Sequence, residues 1–335
     1  MEAIVLEKKG SLEGLSYVKD RPVPVPSPGY LRVKVEAVGL NPVDYKLAEG
    51  WGDVPWPEPP VLGLDVAGIV DALGDGVSKF SVGDRVYFHG WFADVDGGYA
   101  EYACAPEYAV AYAPEALSAV DLASIPCAGF TAWLAINEKL RVREGSTILI
   151  HAGAGGVGAF AIQLAKLKGL KIFSTCSKKN VDYVKSMGAD VVIDYNSEDV
   201  TEAVLQATDR QGVDYIVNTV DGVTSTQDLG RLAFNGELAA VVENPDFSEL
   251  EFYANALSIH QIALGGAHGS NNIRAKNLIG RMGEEYAALM LQGKVKPLSV
   301  EVIGIEDIPD ALARMKQRHV AGKIVAVPKR CVSAR

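Results

Sequence analysis

Four polar side chains crowd into six residues of the stretch GLNPVDYKLAEG (residues 39–50): Asn41, Asp44, Tyr45 and Lys46, around Pro42. An amide, a phenol and an ammonium group are donors that can hold or polarise a carbonyl oxygen as it gains negative charge. If the stretch lines an active site rather than forming a solvated turn, Asn41, Tyr45 and Lys46 are its candidate donors. Asp44 either orients Lys46 or sits as a buried structural acid. For Tyr45, lining a site and packing in a core stand as equal alternatives. A second stretch, ILIHAGAGGVGAFAIQLAK, carries Gly153-x-Gly155-x-x-Gly158, with Gly156 and Val157 between the last two glycines. It follows a strand-like run and opens a helix-like one, the setting in which this spacing holds a dinucleotide. A helix start offers free N–H groups and the positive end of a dipole, and glycines let the backbone approach a pyrophosphate.

The next strand-like run ends in STCSKKN. An NAD-binding fold carries an acid there, to hold the ribose hydroxyls. Here Cys176 takes that place, and Ser177, Lys178 and Lys179 follow it. A carboxylate repels a 2′-phosphate, whereas a hydroxyl and two ammonium groups attract it. The expected cofactor is NADPH. The competing reading of the two lysines is a solvated helix start.

These residues need elements to position them. The chain has 335 residues, more than one core ordinarily serves, so two domains are expected. The first part, to about residue 122, is rich in short strands and turns. LRVKVEAV alternates as a half-buried strand does, and PVPVPSPGY and GDGVSKFSVGDRVYF supply Pro and Gly punctuation. From there strands alternate with helices: STILIHAG, GVGAFAIQLAKLKG, LKIFSTC, VDYVKSMG, DVVIDY, SEDVTEAVLQATD, VDYIVNTV, STQDLGRLAF and GELAAVV. Short apolar strands separated by helices make a parallel sheet covered on both faces. HQIALGG adds a candidate further strand, NIRAKNLIGRMGEEYAALMLQG one or two helices, and KIVAVP a last strand. The fold class is α/β. The residues alone divide the chain into a β-rich part to about residue 122 and a doubly wound nucleotide part after it.

The net charge of −10 argues against a nucleic-acid partner or an anionic membrane surface. MEAIVLEKKG has acids and no apolar core, so no signal peptide is expected. Residues 145–165 carry no Asp, Glu, Lys or Arg, but their glycines break them into strand, turn and helix rather than a membrane span. Cys104, Cys127, Cys176 and Cys331 stand far apart, without a CxxC or Cys/His cluster, which fits a reducing cytoplasm. His89, His151, His260, His268 and His319 form no metal-spaced set. Trp51, Trp56 and Trp91 either shape a pocket for a flat substrate or anchor loops.

GLNPVDYK, PVLGLDVAGIVDALGDGVSKFSVGDRVY, GGYAEYACAP, AGFTAWLAI, the glycine loop and HVAGKIVAVP occur in an order that resembles the medium-chain dehydrogenase/reductase superfamily. The resemblance covers nearly the whole chain. It implies a GroES-like β-barrel domain over 1–122, completed by 268–335, a Rossmann domain over 123–267 and an active site in the cleft between them. In the zinc-dependent alcohol dehydrogenases of that superfamily, the three catalytic zinc ligands fall on Asn41, Leu64 and Cys127 of this chain, with Asp65 beside Leu64. One ligand type out of three cannot build a catalytic zinc site, and the four-cysteine structural lobe is missing. No metal is expected, and Cys127 reads as a small buried residue.

What remains resembles the zinc-free quinone oxidoreductases, the zeta-crystallin-like enzymes and the alkenal and enone reductases. The resemblance implies an NADPH-dependent reduction of quinones or of the C=C bond of α,β-unsaturated carbonyls. It places Ser177, Lys178 and Lys179 at the 2′-phosphate, Tyr195 near the adenosine phosphate and Thr131 by the nicotinamide. Asn218 and Val220, in the NTVDG turn, and Gly265 and Gly266, in LGGAHG, would give backbone contacts to the nicotinamide end. Lys323 is either structural or near the cofactor. Alternatives are an enoyl-thioester reductase, an alcohol dehydrogenase-like enzyme, and a nucleotide-binding structural or regulatory protein. A homodimer paired through HQIALGG is expected on the same resemblance.

Overall fold

The computed structural model describes residues 1–52, 59–91, 95–250, 254–317 and 320–328, with Glu249 described by its backbone alone. Trp56, His319 and Cys331 lie outside the described residues. The chain divides into two compact units. One comprises Met1–Phe130, Gly265–Gln292 and Pro297–Arg335, the other Thr131–Leu264 and Gly293–Lys296.

In the first unit a seven-stranded sheet runs Val300–Gly304, Lys323–Val327, Tyr30–Gly39, Asp65–Leu73, Arg85–His89, Val110–Tyr112, with Tyr102–Pro106 also paired to Tyr30–Gly39. The alternation in LRVKVEAV does what its period requires: Leu31, Val33 and Val35 point into the core. Each such side chain contributes roughly 1.5–3 kcal/mol by leaving water. Strand Tyr30–Gly39 and strand Asp65–Leu73 pair antiparallel, with Gly39 opposite Asp65. That register sets the end of the first strand, and Asn41 after it, beside the start of the second. Between them, GLNPVDYKLAEG folds into a helix, Pro42–Ala48, so the β-rich part is not purely β. Proline suits the first helical position, where its missing N–H costs nothing.

The second unit is a six-stranded parallel sheet in the order Val191–Asp194, Lys171–Cys176, Thr147–Ile150, Val213–Asn218, Leu232–Ala240, Ser258–Gln261. Strand order reverses between the first three and the last three, the doubly wound arrangement that places ligands at the C-terminal strand ends. One expectation from sequence is corrected here. STQDLGRLAF is not one helix: the helix covers Gly222–Asp228, and Leu232 already begins the fifth strand. That strand carries a register irregularity, with Asn235 at φ 63° followed by Gly236. The NG pair broke the apolar pattern and hid the strand's first half. NIRAKNLIGRMGEEYAALMLQG is one helix, Ile273–Leu291. Among the described residues no helix is long and apolar enough to cross a membrane.

Candidate active site

The helix start after Gly155 is the first part of the site. Helix Gly156–Leu167 has no side-chain cap at its N-terminus. Orphan N–H groups at an uncapped helix start are an anion site in waiting. A Cβ on Gly158 would stand 2.4 Å from the Ala152 carbonyl oxygen, so only glycine lets the helix pack this close to the loop. A Cβ on Gly155 would meet only that same oxygen, at 3.3 Å, which leaves the loop open on its outer side. The residues present fit a dinucleotide pyrophosphate. The loop itself is pinned from below: Thr175 Oγ1 accepts the Ala152 N–H at 3.1 Å and faces His151 Nδ1 at 3.1 Å. His151 Nε2 meets Asp228 at 2.9 Å, and Asn218 Nδ2 donates to the same carboxylate at 2.7 Å. Asn218 Oδ1 accepts the Val220 N–H at 2.9 Å, which shapes the NTVDG turn.

Strand Lys171–Cys176 ends on buried Cys176, and Ser177 precedes the short turn Lys178–Asn180 without a side-chain cap hydrogen bond. Tyr195 is half exposed beside it, its N–H reaching the Cys176 carbonyl at 3.4 Å. One neighbour escaped the sequence reading. Asp194 lies opposite Cys176 in the parallel register, so an acid does stand at this end of the sheet, one strand over. Its carboxylate is spent on Asn196 and Ser197 at 3.0–3.3 Å. Hydrogen bonds from the Asn196 N–H first, then from Ser197 and others, hold its pKa below the ordinary carboxylate value. Thr131 is buried in helix Pro126–Trp133.

The polar corner of the first unit forms around Asp65, which is wholly buried. Asp65 Oδ1 accepts the Cys127 N–H at 2.8 Å, and Oδ2 accepts Asn41 Nδ2 at 2.8 Å. Lys323 Nζ donates to Asn41 Oδ1 at 2.5 Å and to the Leu40 carbonyl at 3.1 Å, and lies 3.4 Å from Asp65 Oδ2. Burial pushes the Asp65 carboxyl up, against the pull of Lys323, the Asn41 amide and the Cys127 N–H. Asn41 thus bridges a buried acid and a buried ammonium, and one of its two amide hydrogens remains uncommitted to Asp65. Gly63 sets the approach to Asp65 with φ +96°, and a Cβ there would stand 2.6 Å from the Tyr99 ring.

Asp44 lies in the same corner and is also wholly buried. Its Oδ2 accepts the Asn41 N–H at 2.8 Å and the Tyr99 hydroxyl at 2.7 Å, while Oδ1 has no partner. Burial pushes its pKa up to about 7, against those two donors. Asp44 is therefore the buried acid of the two alternatives read from sequence. Tyr45 is half-buried against the apolar core, and Lys46 is half-buried on the same helix. Gly265 and Gly266 begin the short helical turn Gly266–Gly269 next to Trp91.

Two associations of histidine and cysteine were invisible to spacing. Asp65, His89 and Cys127 each bring one ligand atom to within 4.8 Å of the others. His89 also meets His268, which is 179 residues away in sequence. Burial, then Asp65, pushes the Cys127 thiol up, and burial drives His89 well below its ordinary pKa. Leu64, beside Asp65 in sequence, is buried, and Lys323 Nζ lies 3.4 Å from the Asp65 carboxylate.

A family model described as the alcohol dehydrogenase GroES-like domain matches residues 27–115, and one described as a zinc-binding dehydrogenase matches 187–326. The chain belongs to the medium-chain dehydrogenase/reductase superfamily, with a GroES-like domain and a Rossmann sheet. It is 31% identical over 334 residues to the chloroplast envelope quinone oxidoreductase homolog of Arabidopsis thaliana, covering 95% of each chain. The quinone oxidoreductase of Pseudomonas syringae pv. Tomato DC3000 superposes with a TM-score of 0.88 at 29% identity, over 98% of this chain and 99% of that one. A mycobacterial protein solved in complex with NADPH superposes with a TM-score of 0.85 at 29% identity, over 98% of this chain and all of that one. Within the superfamily the chain is an enzyme of the quinone oxidoreductase type.

Proposed function

We propose that this enzyme uses NADPH, without zinc, to reduce quinones or the C=C bond of α,β-unsaturated carbonyls. The observation that carries the reading is the Asn41–Asp65–Lys323 bridge. A catalytic zinc needs three protein ligands and an open position. Here Asp65 has both oxygens engaged, and an ammonium already lies 3.4 Å from one of them. A divalent ion held by Asp65, His89 and Cys127 would have to share that buried space with the Lys323 charge, which like-charge repulsion opposes. The donor set therefore does not fit zinc well.

The glycine loop from Gly153 to Gly158 would hold the pyrophosphate, and Ser177, Lys178 and Lys179 the 2′-phosphate. Thr131, Tyr195, Asn218, Val220, Gly265 and Gly266 are proposed for the remainder of the cofactor. When bound, NADPH supplies the hydride. The uncommitted N–H of Asn41 and the Lys46 ammonium are the donors proposed for the substrate oxygen. Tyr45, turned to the core, is left a packing role, and Lys323 holds Asn41 in place. A homodimer through the edge strand Ser258–Gln261 and a cytoplasmic location complete the proposal; the sheet edge at that strand and the free thiols of Cys104, Cys127 and Cys176 support them.

The test is turnover of menadione, 9,10-phenanthrenequinone and a small enal with NADPH and with NADH. Turnover with NADPH preferred supports the reading; tight NADPH binding with no turnover of any of them defeats it. Lys46→Ala should lower kcat/KM at least about tenfold, in line with loss of one charged donor to a developing oxyanion. Unchanged kcat/KM removes Lys46 from the mechanism.

A further inference from the structure

His89, His268 and Tyr108 stand in one hydrogen-bonded line. His89 ends strand Arg85–His89, Tyr108 lies in the turn Glu107–Ala109, and His268 in the turn Gly266–Gly269. His89 Nδ1 is 3.1 Å from His268 Nε2, and His268 Nδ1 is 2.9 Å from the Tyr108 hydroxyl. The two imidazole planes differ by 20°, and Trp91 lies against His268 at 13° and 5.4 Å between ring centres. Both histidines are almost wholly buried, while Tyr108 is half-buried. At the inner end, a ring nitrogen of His89 lies within 4.8 Å of the Asp65 carboxylate and Cys127 Sγ. The line thus begins at the polar corner and ends near the surface.

Two buried imidazoles joined nitrogen to nitrogen are an expensive arrangement to keep for packing alone, because each ring must hold one tautomer for its partner. We propose that His89, His268 and Tyr108 form a proton relay between solvent at Tyr108 and the Asn41–Asp65 corner. The inference rests on the reductase reading above, in which each turnover consumes one proton after hydride arrives. The proton leaves His89 Nε2 for the reduced substrate. His89 Nδ1 takes the Nε2 proton of His268, His268 Nδ1 takes the Tyr108 hydroxyl proton, and Tyr108 takes one from water. A flip of each ring resets the line. No protein group changes net charge at the end of the cycle; the water that supplies the proton is left as hydroxide in bulk solvent.

Burial and the nearby lysines favour neutral rings, while the Asp65 carboxyl near His89 pulls the other way. Lys323 faces His89, and Lys276 lies 5.6 Å over the Tyr108 ring and acts on His268. Burial foremost, then Lys276, pushes His268 down to about 4, so both rings carry one proton each at neutral pH. A neutral imidazole can donate from one nitrogen while accepting at the other, as a relay requires.

The experiment compares the wild type with Tyr108→Phe and His268→Phe, which keep an aromatic ring and remove the transferable proton. With NADPH and a small enal, kcat should fall about a hundredfold, the lower end of general acid–base contributions. Hydride transfer in the first turnover, read by stopped-flow loss of NADPH absorbance, should keep its rate. The dependence of kcat on the D2O fraction should change from curved to linear. Imidazole added to His268→Ala should restore part of the rate. Unchanged kcat and unchanged solvent isotope dependence in both Phe variants overturn the relay. Nitrogen-15 NMR of the wild-type histidines, with Tyr108→Phe as control, decides it without turnover. Neutral rings with a His268 Nδ1 signal that shifts in Tyr108→Phe support the line, and a signal that does not move refutes it. A wild type inactive on every quinone and enal would defeat the reductase reading, and the NMR result would still stand.

Discussion

Asp44→Asn should remove a pH-dependent loss of stability that one buried carboxyl imposes on the wild type. Asp44 has no exposure, one oxygen with two donors and one with none, and a pKa pushed from 3.8 up to about 7. A raised acid pKa means that the folded state binds the proton more tightly. Below pH 3.8 both states are protonated and the contribution is complete. As pH rises toward 7 the unfolded chain has released the proton while the folded one keeps it, and stability falls. Above 7 the loss is complete, about 4 kcal/mol for a shift of this size. Between about pH 5 and about pH 8.5 the wild type should therefore lose about 3 kcal/mol through this group. The buried histidines act in the opposite sense, since His89 and His268 are held neutral and cost stability as pH falls below their ordinary value. The difference between wild type and variant cancels them. In Asp44→Asn the amide oxygen can still accept the Asn41 N–H and the Tyr99 hydroxyl, and its NH2 takes the place of the unpartnered Oδ1. That leaves a buried unsatisfied donor, a constant cost of about 1–3 kcal/mol. Urea unfolding of both proteins across the pH range reads the difference. The variant should be less stable or equal at pH 5 and gain on the wild type steadily toward pH 8.5. Parallel stability curves would refute the buried-acid account of Asp44.

Lys178→Ala with Lys179→Ala should raise the KM for NADPH about tenfold or more while leaving that for NADH nearly unchanged, because the lost charge faces only the 2′-phosphate; equal effects on both cofactors would leave the lysines as a solvated turn. Lys323→Met should destabilise the protein by about 3–5 kcal/mol at neutral pH, since it leaves Asp65 buried without its counter-charge. Urea unfolding checks that value, and a loss below about 1 kcal/mol would mean that Asp65 is held chiefly by Asn41 and the Cys127 N–H.

The nucleotide unit was legible because its signals are local. Each strand is a short apolar run, each helix follows at once, and the glycine loop sits at the first junction. The one misread element, the fifth strand, failed where Asn235 and Gly236 interrupt it with a left-handed residue. In the first unit the helix Pro42–Ala48 hid in a stretch too short for periodicity, although Pro42 at its first position is a start signal. The strand Val300–Gly304 and helix Ile308–Lys316 were passed over for the same want of length. At the site, the residues at the positions matched to zinc ligands could be named from sequence; the bridge around them could not. Lys323 reaches Asn41 across 282 residues, and His89 reaches His268 across 179. No spacing rule spans such separations; sheet register and a turn bring them together. Asp194 was overlooked because it lies on the neighbouring strand, and only the parallel register puts it opposite Cys176.

The central claim is that a lysine–asparagine–aspartate bridge stands where a related dehydrogenase holds zinc. Elemental analysis of the purified enzyme, coupled to NADPH-dependent reduction of 9,10-phenanthrenequinone before and after exhaustive chelation, tests it most directly. The account predicts zinc well below one ion per chain and a rate unchanged by chelation. One tightly bound zinc per chain, with activity lost on its removal and regained on its return, would contradict it.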